Sequence, residues 1–274
     1  MKRTILLILV SLSTFPLTAQ TFDIQDFNEK VEVAEFLFEY DLIAWWTSDS
    51  VMVADPAELA QLGEVWVCLP EGNTWRAYYG KYEAGNFRPV FLYHLDSNYH
   101  IRRVYEATDS ARLNPFARAL AYAVQQLAPL QDTLNLRFNQ YVRQTEQNEI
   151  EVWLLPAFQP NATAIYGGEF YYRFDATGQR LLAEHTHYQG AFRGFQVGEP
   201  REIWLNYSDV DQPTLGGIFF VWYYKKYFTK INLETRTNIS TVMQTDGGYT
   251  WLHVEKDLGK KSKKKKKRRS KSKS

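Results

Sequence analysis

The chain has 274 residues, of which 32 are lysine or arginine, 31 are aspartate or glutamate and one is cysteine. One cysteine excludes an internal disulfide and a paired-cysteine metal site, so stability must come from a core to which the 16% of aromatic residues can contribute. The net charge of +1 hides an asymmetry. Eleven basic residues lie from residue 260 onward, and 2 more lie in the first three residues. The segment between them contains the other 19 basic residues and all 31 acidic residues, so its net charge is −12.

The N-terminus has the three parts of a secretory signal peptide. Lys2 and Arg3 supply the positive start, residues 5–15 are apolar, and Ala19 is a small residue at a suitable cleavage position. The apolar stretch is too short to span a bilayer as a helix. The sequence therefore predicts a signal peptide over residues 1–19 and export to the periplasm, the outer surface or the extracellular space.

The first part of the mature chain predicts short helices followed by strands. Phe27, Val31, Ala34 and Phe38 recur at helical spacing, and the segment 55–63 has an N-capping aspartate, a proline at the first helical position and a final glycine. Aromatic and β-branched segments separated by turn residues then predict a four-stranded antiparallel meander over 64–70, 74–85, 87–98 and 99–109.

A long helix is expected to open at Asn114 and Pro115, with a kink or break at Pro129 and an apolar stripe continued by Leu134, Phe138 and Tyr141. Further strands are predicted at 150–158, 201–207, 217–233 and 249–255, of which 217–233 could be helical instead. The segment 168–185 is predicted to be a hairpin with its turn at 175–178. The expected fold is α+β: mainly antiparallel strands in two groups bracketing one long Pro-kinked helix, with short N-terminal helices, in a single domain over 22–257.

The clearest enzyme motif is EHTH, which contains His185 and His187, followed by YSDVD. On a strand, two imidazoles at this spacing share one face roughly 7 Å apart and could bind zinc together with a carboxylate. The pattern resembles the JAMM/MPN metalloprotease motif. That resemblance implies a base at Glu169 or Glu184, and zinc ligation by His185, His187 and Asp211 with Ser208 beside them.

The spacing departs from that family, because twenty residues separate His187 from Ser208, about twice its gap. The serine is also followed by Gln212-Pro213 and two glycines, where the family has a helix. The alternative is that both histidines lie on the exposed face of a hairpin strand. A zinc ion is expected only under the metalloprotease interpretation. Under the other interpretations no cofactor is expected.

Trp45 and Trp46 are the best candidates for a glycan- or ligand-binding surface. Adjacent residues on a helix cannot face the same core, and the polar segment 47–50 follows them. The other tryptophans lie in strand patterns that favour ordinary burial, as does Cys68.

The C-terminal segment 258–274 is predicted to be a disordered polybasic tail. It has no aromatic residue for stacking on bases, so sequence-specific nucleic-acid binding is not expected. Its expected partners are anionic envelope lipids, polysaccharides or extracellular polyanions, or the acidic body, unless it only improves solubility. The basic residues of this anion-binding tail are Lys260, Lys261, Lys263, Lys264, Lys265, Lys266, Lys267, Arg268, Arg269, Lys271 and Lys273.

Several segments, including IAWWTSDS, VWLLPAFQPN, YGGEFYYRFD and LGGIFFVWYYKKYFTKI, are similar to those of a group of signal-peptide-bearing bacterial proteins without an assigned activity. The resemblance implies export and one family-wide domain, and it brings no catalytic residues. The sequence therefore favours a secreted or envelope-associated, non-enzymatic binding protein attached to anionic surfaces by its tail. The alternatives are a metal-dependent hydrolase at His185 and His187, and a ligand-binding module around Trp45 and Trp46.

Overall fold

The computed structural model describes residues 22–106 and 109–257, so the predicted signal peptide and polybasic tail lie outside the described residues. The described helices are α1 Ile24–Met52, α2 Pro56–Leu59, α3 Ser110–Leu134 and α4 Leu215–Tyr224. The described strands are β1 Val65–Glu71, β2 Thr74–Glu83, β3 Asn86–Leu95, β4 Ile101–Arg103, β5 Phe138–Gln144, β6 Ile150–Pro156, β7 Thr163–Phe174, β8 Leu181–Gln196, β9 Glu202–Tyr207, β10 Lys230–Thr235, β11 Asn238–Thr245 and β12 Gly248–Glu255.

The strands form three four-stranded sheets. Two are antiparallel meanders, β1-β2-β3-β4 and β5-β6-β7-β8, and the third has the order β12-β11-β10-β9. In the third sheet β9 and β10 are parallel, because α4 carries the chain from one to the other. The α+β class and the predominance of antiparallel strands are confirmed, whereas the expected two groups of strands are three sheets.

The first helix is long, which corrects the expectation of short N-terminal helices. The Asp23 carboxylate caps α1 by accepting hydrogen bonds from two backbone amides of the first turn. The helix is 29 residues long and includes the polar segment 47–50. The hydroxyls of Thr47 and Ser48 donate to backbone carbonyls one turn earlier, so these residues are accommodated within the helix.

The helix α3 also differs from its prediction. It starts at Ser110 and contains both Pro115 and Pro129, so the helix does not stop at the second proline. A proline lacks the amide donor and its ring crowds the preceding turn, yet the helix continues past Pro129, and the Thr133 hydroxyl donates to the Pro129 carbonyl in the last turn. The apolar stripe does not extend beyond this helix, since Phe138 belongs to β5.

The ambiguous segment after residue 214 is the helix α4, followed by the strand β10. Thr214 caps the helix with its hydroxyl, and four consecutive apolar residues from Ile218 to Val221 are all buried. A helix that is apolar all round lies in a protein interior, which explains why periodicity could not identify it. It packs on α1, β7 and β10.

Two local predictions are confirmed. The hairpin turn at 175–178 is held by the Asp175 carboxylate, which accepts from the amides of Gln179 and Arg180, and Gly178 supplies the positive φ. Cys68 is a fully buried free thiol. Within the described residues, no helix combines the length and apolar character required to cross a membrane.

Candidate ligand-binding pocket

A cavity of about 460 Å³ lies between α1, α4 and the strands β1, β2 and β5. Its size is within the range of pockets that bind small molecules. Seven aromatic side chains contribute to its wall: Tyr40, Trp45, Trp66, Tyr79, Tyr141, Phe158 and Tyr223. Asp41 is the only lining residue in the described chain that carries a carboxyl, amine, guanidinium or imidazole group. The pocket is thus an aromatic enclosure with a single acid.

Asp41 forms the polar floor of the pocket. It projects from the middle of α1 and is only 7% exposed. Its Oδ1 accepts hydrogen bonds from Asn139 Nδ2 at 2.6 Å and from the Tyr141 hydroxyl at 3.0 Å, and the Tyr223 hydroxyl provides a third bond. The residue therefore joins α1 to β5 and α4 through neutral donors only.

Burial raises the pKa of Asp41, although its three hydrogen bonds act in the opposite direction. Removing a carboxylate from water disfavours its charged form, and bonds to that form favour it. Here burial is the larger effect, and no basic side chain of the described residues contributes to the shift. The acid is held in place by hydrogen bonds without a compensating positive charge.

Two further polar atoms in the wall have no hydrogen-bond partner within the described residues. Gln140 is 4% exposed, and its Nε2 donates to the Glu64 carbonyl at 2.7 Å while its Oε1 is left without a donor. Trp66 Nε1 is a buried donor that lacks an acceptor. A buried polar group without a partner costs about 1–3 kcal/mol. Both atoms have almost no accessible surface, so they lie behind the cavity surface.

The two adjacent tryptophans of α1 have different surroundings. Trp45 is 53% exposed and lines the pocket, close to the exposed side chains of Met52 and Phe158. Trp46 packs edge-on against Tyr99, with ring centroids 5.3 Å apart, and does not line the pocket. Consecutive helical residues point about 100° apart, which accounts for the divergence. Of the pair proposed from the sequence, Trp45 lies in the wall.

The histidines of the EHTH motif lie on β8. His187 is paired with Glu169 across the sheet, its Nε2 is 3.5 Å from Asp209 Oδ2, and its ring stacks on Tyr207. His185 is exposed and opposite Tyr171. The carboxylate nearest His187 is therefore Asp209.

The other residues of the metalloprotease interpretation have separate partners. Asp211 pairs with Arg236 at 3.4 Å, and the Ser208 hydroxyl donates to the Asn206 side chain. Glu169 is buried and accepts the Gly216 amide at the start of α4, and Glu184 is exposed. No group of three His, Cys, Asp or Glu side chains that could hold a metal occurs among residues 22–106 and 109–257.

The basic residues of the tail, Lys260 to Lys273, fall outside the described residues, and no contact is assigned to them.

The sequence did not single out Asp41. A signal for it does exist, because Asp41 is in helical register with the apolar Ala34, Leu37 and Ala44, and an acid on a core-facing stripe requires partners.

Comparison with models of protein families, with curated proteins and with solved structures finds no match for this chain.

Proposed function

We propose that this protein is an exported, non-enzymatic binding protein whose site is the pocket over Asp41. The observation that supports the proposal is the combination of aromatic walls and one buried carboxylate in a single cavity. Ligand pockets commonly consist of an apolar surface with a few polar groups that fix the orientation of the ligand. The expected ligand is a small, partly apolar organic molecule.

The adjacent tryptophans provide a matched pair of variants for testing this proposal. Small aromatic alcohols and amines would be titrated into the protein, with binding followed by saturation-transfer NMR and calorimetry. A dissociation constant of about 1 mM or lower is a realistic expectation for fragments of this size. Trp45→Ala should weaken binding about tenfold, whereas Trp46→Ala should leave it within twofold. If no fragment binds, or if both variants weaken binding equally, the pocket is not the site.

The polybasic tail supports a second proposal, that the protein associates with anionic envelope or matrix material. Its support is the separation of charge in the sequence, with −12 between the predicted signal peptide and residue 260 and +11 from there onward. Contacts of lysine and arginine with anionic surfaces are long-range and weakened by salt. The pocket and the tail would then perform separate tasks, one binding a ligand and the other attaching the protein to a surface.

The test of the tail compares the mature protein with a form that lacks residues 259–274. Sedimentation with vesicles of anionic phospholipid, and retention on an immobilised polyanion, would be measured from 20 to 500 mM salt. The complete mature protein should be retained at low salt and released as salt increases, while the shortened form should stay in solution. Equal retention of the two forms at low salt would reject the proposal.

A further inference from the structure

The chemistry of the pocket over Asp41 narrows the kind of ligand it can take, provided that the pocket is the binding site proposed above. Asp41 is held by Asn139, Tyr141 and Tyr223, which are all neutral hydrogen-bond donors. An ionised carboxylate that is buried without a counter-charge is costly, because neutral donors replace only part of its hydration. A ligand that carries a positive charge would supply the missing partner.

The wall of the pocket is also suited to a cation. Trp45, Trp66, Phe158 and Tyr223 present aromatic groups around the cavity, and the electron-rich face of an aromatic ring attracts an organic cation. The described lining contains no lysine, arginine or histidine that would repel one. Aromatic rings and a single acid together favour an organic cation over an anion.

The hydrogen-bonding capacity of Asp41 indicates which type of cation fits best. Asp41 accepts three hydrogen bonds from the protein, and an ionised carboxylate has about four acceptor positions. A protonated amine has several N–H donors, whereas a quaternary ammonium has none.

We propose that the pocket binds a small organic amine in its protonated form, with the ammonium group against Asp41 and the body of the molecule between the aromatic side chains. Uncharged sugars and alcohols could use the same stacking surface. They would leave Asp41 without a counter-charge, so they are the weaker ligands.

The test compares 2-phenylethylamine with 2-phenylethanol, which have nearly the same shape but differ in charge and in the number of hydrogen-bond donors. Calorimetric titration at pH 7 should give at least tenfold tighter binding of the amine to the wild-type protein. Asp41→Asn, which has the same shape without the charge, should remove this preference. The matched control Glu199→Gln removes an acid from an exposed position outside the pocket lining and should leave the preference intact.

The results separate failure of this inference from failure of the pocket itself. If amine and alcohol bind the wild-type protein equally, and Trp45→Ala weakens both, the pocket is the site but does not select amines. If Glu199→Gln reduces the preference as much as Asp41→Asn, the attraction comes from the overall acidity of the protein and the inference is wrong. The wild-type comparison remains decisive even where circular dichroism shows that Asp41→Asn fails to fold. If neither compound binds, the pocket proposal itself fails.

Discussion

The hydrogen bond from the Tyr141 hydroxyl to Asp41 allows the charge of the pocket floor to be measured in the folded protein. Tyr141→Phe deletes this hydroxyl from a side chain that is only 1% exposed. A hydrogen bond to an ionised group contributes about 1.5–3 kcal/mol to stability, compared with about 0.5–1.5 kcal/mol for one between neutral groups. With Asp41 ionised at pH 7, as the amine-binding proposal requires, Tyr141→Phe should lower the free energy of unfolding there by about 1.5–3 kcal/mol.

This loss of stability should depend on pH in a defined direction. The bond from Tyr141 lowers the pKa of Asp41, so deleting it raises further a pKa that burial has already raised. The variant then loses most above the pKa of Asp41 and least below it, where the carboxyl is protonated in both proteins. For a protein of this size, the Tm difference should be roughly 3–12 °C at pH 7 and should shrink toward pH 4.

Tyr40→Phe is the matched control. Its hydroxyl is equally buried and accepts the amide of Cys68 at 3.1 Å, and it makes no hydrogen bond to Asp41. Burial raises the pKa of both Tyr40 and Cys68, so this contact does not titrate between pH 4 and pH 8. Urea unfolding of both variants, followed by circular dichroism across that range, gives the comparison. A loss in Tyr141→Phe that is as constant with pH as the loss in Tyr40→Phe would refute an ionised Asp41.

Three other measurements probe the fold and the site. Gly178→Ala should lower the free energy of unfolding by at least about 3 kcal/mol, because a Cβ there overlaps the Pro115 carbonyl. Gly72→Ala, also at positive φ but in open space, should lower it by only about 1 kcal/mol. Equal losses of stability in the two variants would contradict the packing at Gly178. Burial lowers the pKa of Lys225 to about 8. Acylation of this amine, measured by mass spectrometry, should therefore reach half its maximal rate near pH 8. A midpoint above pH 10 would disprove the lowered pKa. Urea unfolding should show that Asp41→Asn is more stable than the wild-type protein at pH 7. The difference in stability should decline toward pH 4, because protonation of Asp41 removes the cost of burying its charge. A variant that is less stable than the wild-type protein at both pH values would contradict this prediction.

The elements that could be predicted are those specified by neighbouring residues. The strands β1 to β3 alternate with compact turns, and α2 has its capping aspartate and proline directly at its start. The hairpin between β7 and β8 is set by a turn whose aspartate bonds the amides that follow it. In each case the decisive contacts lie within five residues in the sequence, which is why the local pattern was sufficient.

The strands that were missed have polar side chains that obtain their partners from distant parts of the chain. In β11, Ser240 is fully buried and bonds to the His253 ring, and Thr241 donates to the Ile231 carbonyl. In β5, Gln140 is buried and donates to the Glu64 carbonyl, 76 residues earlier. Hydrophobic periodicity is weak where buried positions are polar, so these strands were not visible before their partners were known.

The pocket was only partly foreseeable for the same reason. Trp45 attracts notice as an aromatic residue beside a polar segment, since the feature is local. The role of Asp41 depends on Asn139 and Tyr141, which are 98 and 100 residues later, and on Tyr223 in α4. These donors meet at one carboxylate only in the folded structure.

The fold itself does not require a charge at position 41. An asparagine there could accept from Asn139 and Tyr141 with its carbonyl oxygen and donate its amide to the Tyr223 oxygen, so the same three elements would remain joined without burying a charge. A carboxylate at this position therefore lowers stability relative to an equally bonded neutral residue. Binding sites commonly retain groups that are unfavourable for folding, because those groups are satisfied only when the ligand is present. Asp41 fits that description through its missing counter-charge, and this is the physical reason to look for the ligand among protonated amines.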